Sequence, residues 1–199
     1  MPRPPRRRTP LRRRRLLQAL ALLPWVGAGA VLPGPARAQS ATLTSLSASR
    51  AEGQVLLDFA VRLALPRVVE DALQRGVPVY FVAEATLYRR RWYWRDERVA
   101  RVRRSWRLAF QPLTSTWRVS LGALSQAHAT LPEALAAVTS SGGWRLADVG
   151  QLEPGATHYV DFEYELDTRQ LPSPMQIDLG VRSEWTLRVE REIPLPPAP

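Results

Sequence analysis

The 199-residue chain has no cysteine, no lysine and only two histidines. Without cysteine there is no disulfide, no thiol chemistry and no thiolate-bound metal, so the fold must hold by packing alone. His128 and His158 lie 30 residues apart and belong to no zinc-type spacing. No serine sits in a Gly-x-Ser-x-Gly turn, and glycine-rich phosphate loops and EF-hand spacings are also missing. The sequence therefore predicts a non-enzymatic chain with no cofactor, no metal and no catalytic residue. The lack of lysine leaves arginine as the only strong base: 28 arginines against 18 acidic residues, a formal charge of +10.

That charge is unevenly placed. Met1 to Arg15 is a basic leader, Leu16 to Leu32 is the one long apolar run, and "PGPARAQS" supplies Ala36 and Ala38 around Arg37. Basic, apolar and Ala-x-Ala segments in that order predict a signal peptide over residues 1–38, cleaved after Ala38. The alternative is an uncleaved anchor in the inner membrane, since 17 residues approach the length of a spanning helix. "RRRLLQ", Arg13 to Gln18, also loosely matches a twin-arginine export signal. The leader holds nine arginines and no acid, leaving 19 basic against 18 acidic side chains. A global field that attracts nucleic acid is thus absent.

Residues 39–193 read as one domain. Period-two alternation marks Ala41 to Arg50, Gln54 to Leu63, Val77 to Tyr88, Val102 to Phe110, Thr114 to Gly122, Trp144 to Gly150, Thr157 to Asp167 and Arg182 to Ile193 as strands. Leu65, Val68, Val69, Ala72 and Leu73 recur at helical spacing between Pro66 and Gly76. Thr130, Pro132 and Glu133 open a second helix, with Gly142 and Gly143 beyond its end. About eight strands with two short connecting helices predict an all-β, antiparallel immunoglobulin-like β-sandwich. The last residues, 194–199, read as an extended, proline-rich tail.

"YRRRWYWRDERVARVRRSWRLAF", Tyr88 to Phe110, carries nine arginines, three tryptophans and two tyrosines. Its second half divides by parity: Val102, Trp106, Leu108 and Phe110 face the core, and Arg101, Arg103, Ser105 and Arg107 face solvent. Arg104 has core parity and is expected near a loop or on a bulge. Asp161, Glu163, Glu165 and Asp167 form an acidic stripe that balances the arginines if the two strands are neighbours. Its alternative use is acid/base or metal chemistry, and a hydrolase or lyase using Asp161, Glu163 or His158 is the enzyme reading. His158 shares the parity of Val160 and belongs near the core or the strand end. The candidate partner-binding residues are Arg89, Arg90, Arg91, Trp92, Tyr93 and Trp94, because Arg, Trp and Tyr dominate energetic hot spots.

The segments "RGVPVYF", "RWYWRDE" and "LDTRQLP" (Arg75 to Phe81, Arg91 to Glu97, Leu166 to Pro172), within a stretch from Gly53 to Arg188, resemble the exported proteobacterial family catalogued as domain of unknown function 4390. The resemblance implies no activity, cofactor or catalytic residue. It implies gene neighbours of the nitrogen-regulation sensor-kinase and ribosomal RNA methyltransferase types, and so a periplasmic accessory role linked to a sensor kinase. The expectation is an exported, periplasmic binding module with an envelope protein partner and no nucleic acid. The alternative is a module for an anionic polymer or a membrane surface, and an uncleaved leader implies membrane association.

Overall fold

The computed structural model describes residues 41–171 and 185–197. The expected leader, its cleavage point after Ala38, the start of the closing strand at 182–184 and the last two residues, Ala198 and Pro199, lie outside these residues. The described elements run β1 (Ala41–Ala51), β2 (Gln54–Leu63), α1 (Arg67–Gln74), β3 (Val79–Arg89), β4 (Glu97–Gln111), β5 (Thr116–Leu121), β6 (Leu124–His128), α2 (Leu131–Thr139), β7 (Ser140–Asp148), β8 (His158–Leu166) and β9 (Arg188–Pro194).

They form two antiparallel sheets, one of order β1-β2-β7 and one of order β6-β5-β4-β3-β8-β9. This is the antiparallel β-sandwich expected from the alternation, with three strands facing six. Successive strand side chains point to opposite faces, so parity decides the core. Val79, Phe81, Ala83, Ala85 and Leu87 of β3 are wholly buried, and Val55, Leu57, Phe59 and Val61 of β2 meet them from the other sheet. Phe59 is the hub, with ring centroids 4.9 Å from Phe162, 6.1 Å from Tyr164 and 6.2 Å from both Trp106 and Trp144. Each such aromatic pair adds roughly 0.5–1.5 kcal/mol beyond the area it buries.

Three strands cannot cover six. β1 lies along β9 and β7 over β3 and β4, which leaves the β5–β6 side open. Helix α2 fills that side with Ala134 and Val138, packing on β5, β6, β2 and β7. The Thr130 hydroxyl accepts from the Glu133 backbone N–H and the Glu133 carboxylate from the Ala129 N–H, which satisfies donors at the helix start. Tyr164 of β8 donates its hydroxyl to the Val138 carbonyl at 3.1 Å, tying the sheet to the end of α2. Burial holds its phenol well above the ordinary tyrosine range.

Four local expectations are corrected. Strand β6, "LSQAH", has no buried face, so no alternation marks it; it pairs only as the edge next to β5. Gly142 and Gly143 do not terminate α2, because β7 begins at Ser140, directly after it. They lie in β7 where its register with β2 slips between Leu57 and Phe59, and Gly143 has φ +59°. Asp58 accepts a 2.7 Å hydrogen bond from the Gly143 N–H there, so the glycine makes a bulge rather than a cap. Arg104 lies mid-strand, opposite Ala83 on the inward face, with its guanidinium 4.9 Å over the Trp144 ring and hydrogen-bonded to Ser141. Burial lowers its pKa. The tail starts later than residue 194: Pro194 pairs with Tyr159, and Leu195 is buried and donates its N–H to the His158 carbonyl at 3.0 Å.

Candidate functional site

The six candidate partner-binding residues run from the end of β3 into the β3–β4 connection, and the structure divides them into two groups. Arg89 is the last residue of β3, where it lies opposite both Glu97 and His158 in the ladders. Its guanidinium pairs with Glu97 and with Glu153. Arg90 donates its backbone N–H to the Thr157 carbonyl at 2.8 Å, pairs with Glu192 at 2.7 Å and stacks 4.9 Å over the Tyr159 ring. Arg91 pairs with Glu97, and its N–H reaches the Asp96 carboxylate at 2.9 Å. The three arginines are therefore bound within the molecule, to carboxylates from β4, β9 and the β7–β8 connection.

The aromatic residues point the other way. Trp92 is 93 % exposed, Tyr93 66 % and Trp94 73 %, and Trp92 meets Tyr93 edge to face at 5.0 Å. Asp96 fixes the base of this tip: Tyr159 donates to its other carboxylate oxygen at 2.8 Å. The Arg91 N–H, followed by the Tyr159 hydroxyl, holds the Asp96 carboxyl below the usual carboxylate range. Burial, followed by the hydrogen bond to Asp96, pushes the Tyr159 phenol up. Around the tip, Arg89, Arg90 and Arg91 pair with Glu97, Glu153 and Glu192, and counting Arg95, Arg98 and Asp96 as well the segment sets five arginines against four acids, so the positive surplus is small. Three clustered, exposed aromatics on a braced turn can enter an apolar or interfacial environment; a polyanion would find most of the charge already neutralised.

The acidic stripe has a different setting from the one expected. Strand β3 lies between β4 and β8, so the basic and acidic stripes are not adjacent. Glu84 of β3 stands between them, opposite Arg103 on one side and Glu163 on the other. Ion pairs cross the outer face, Arg101 with Glu84 at 2.7 Å, Arg103 with Asp167 at 3.1 Å and Arg188 with Glu163 at 3.0 Å, while Glu163 also lies between Glu84 and Glu190 in the ladders. Burial would raise the Asp167 carboxyl, but donors on Gln170 and Arg169 outweigh it and hold it low. The Asp161 carboxyl is raised by burial and then by Glu190, Glu192 and Glu84. Burial also raises Glu163, against the opposing charge of Arg188.

The structure does not bring the enzyme candidates together. His158 has the inward parity of Val160 and is buried, whereas Asp161 and Glu163 lie on the outer face of the sheet. Among the described residues no group of three acidic or histidine side chains is arranged to hold a metal ion. No helix among them is long and apolar enough to cross a membrane.

Against known families, one model matches residues 38–193 of this chain, described as "Domain of unknown function (DUF4390)". No curated protein and no solved structure matches.

Proposed function

The chain belongs to the DUF4390 family, and from that premise, which brings no assigned activity, we propose that it is an exported, non-enzymatic envelope module that rests on a lipid bilayer surface through Trp92, Tyr93 and Trp94. The observation that carries this reading is the exposure of these three aromatics, each by about two thirds or more, at a turn whose base is held by Asp96 and Tyr159. Trp and Tyr place an apolar ring and a polar edge at the headgroup level of a membrane, which is the environment this tip suits. Size argues the same way. Burying three aromatic side chains removes on the order of 450–750 Å², about what one partner of a standard protein interface contributes or less, but enough for reversible interfacial contact. Arg95 at the end of the tip adds about 1 kcal/mol on an anionic leaflet.

Co-sedimentation with phosphatidylcholine vesicles containing phosphatidylglycerol tests the proposal. The full chain should bind, and replacing Trp92 and Trp94 together by Ala should weaken binding by about tenfold or more. Arg95→Ala should weaken it only by about fivefold. Capture of a protein partner through the same tip, with no vesicle binding, would replace this reading by the protein-partner one.

A further inference from the structure

Where six strands outrun three, a groove of about 230 Å³ lies between the inner faces of β4, β5 and β6 and the junction of α2 with β7. Trp106 of β4, Val119 and Leu121 of β5, Leu124 of β6 and Ala137 of α2 make its apolar wall. Leu124, on the edge strand, is 72 % exposed. Arg104 is the one charged residue on the lining, and no acid accompanies it. Arg89, Arg90, Arg91, Arg101, Arg103 and Arg188 are each held by a carboxylate, whereas Arg104 pairs with none among the described residues. The Ser141 hydroxyl takes its Nη1, and the Trp144 ring lies 4.9 Å beneath the guanidinium, so the group is fixed in place. Its Nε and Nη2 donate to no described residue, and neither is a nitrogen shut off from solvent. These two N–H groups share one edge of the guanidinium, the edge that receives a carboxylate through two parallel hydrogen bonds.

A part-buried cation without a counter-ion is unfavourable until an anion reaches it. The groove therefore offers a preformed fork for a planar anion beside an apolar wall that has room for a body. We propose that it binds a compact monocarboxylic acid with a branched-alkyl or aryl body. The carboxylate takes Nε and Nη2 of Arg104, and the body lies against Trp106, Leu121 and Leu124. The volume is below the roughly 300–1,000 Å³ of drug-sized ligand sites, which selects a body of a few carbons over a long acyl chain. The aromatic tip takes no part, so this site stands or falls separately from the bilayer contact.

Titration of the full chain with 4-methylpentanoate, 4-methylpentanamide and acetate, followed by the shifts of its backbone amide NMR signals, tests it. 4-Methylpentanoate should bind one to one, about tenfold tighter than its neutral amide or than acetate, which lacks the body. Arg104→Gln should bring the acid down to the level of the amide, and Arg104→Lys, which keeps the charge without the fork, should restore only part of the loss. Leu124→Ser changes an exposed side chain that the fold does not need. It should weaken 4-methylpentanoate by about threefold and leave acetate unchanged, which keeps the test open if the arginine variants fail to fold. Replacing Trp92 and Trp94 by Ala should alter none of these affinities. Equal affinity for acid and amide, affinities unchanged by the groove substitutions, or no binding at millimolar concentration would overturn the proposal. A peptide ending in leucine that binds about tenfold tighter than 4-methylpentanoate would overturn the free acid as occupant in favour of a protein chain end.

Discussion

Tyr159 of β8 donates its hydroxyl to Asp96 at 2.8 Å, and the same carboxylate accepts the Arg91 N–H at 2.9 Å, so one side chain closes the β3–β4 connection and fastens it to the neighbouring strand. The aromatic tip is displayed by this clasp rather than by its own packing. Tyr159→Phe keeps the ring that stacks on Tyr88 at 5.3 Å and removes only the donor. Amide exchange at Arg91 should then accelerate while exchange in the centre of β3 stays unchanged, as measured by hydrogen-exchange mass spectrometry. Acceleration throughout the sheet would mean that the hydroxyl supports the fold and not the connection.

Phe59 touches four aromatic rings from both sheets. Phe59→Ala should cost about 3–5 kcal/mol in chemical denaturation, the range for emptying a large core site. A loss below about 1 kcal/mol would mean that the two sheets do not share this core.

Asp161 gives the stability a sign with pH. Its folded-state pKa is raised, by burial and then by Glu190, Glu192 and Glu84. Ionising it therefore costs the folded state stability, fully above the folded pKa and not at all below the unfolded value of about 3.9. Asp161→Asn should melt higher than the parent protein at pH 7, and the gap should close as the pH falls through the folded pKa. A gap that widens toward acid would show that the carboxylate is stabilising.

His158 acts at higher pH. Its folded pKa is lowered, first by burial, so the unfolded chain takes up a proton before the folded one does. Stability should fall as the pH drops from about 6.5 toward the folded pKa. His158→Phe should flatten that part of the melting profile, and an unchanged slope would remove His158 as its source.

Much of the fold was legible because one sheet face is dry and one is wet. The parity of Val79, Phe81, Ala83, Ala85 and Leu87, the Ala41–Leu63 hairpin and the Thr130 cap needed no tertiary knowledge. Strand β6 was illegible because an edge strand with both faces exposed carries no alternation, and strand order was illegible because parity says nothing of neighbours. The candidate loop was half legible. Its composition marked Arg89 to Trp94, but the arginines are claimed by Glu97, Glu153 and Glu192, up to 102 residues away in sequence, and only the fold brings those together.

The absence of cysteine allows the bilayer contact to be measured at single positions. Tyr93→Cys and Leu113→Cys, each carrying one environment-sensitive fluorophore, place probes at opposite ends of β4, a span on the order of 45 Å; Leu113 is fully exposed, as a control must be. With vesicles containing a lipid-borne quencher, the probe at position 93 should be quenched and the probe at position 113 should not. Equal quenching at both positions, or none at 93, would contradict a tip that meets the membrane.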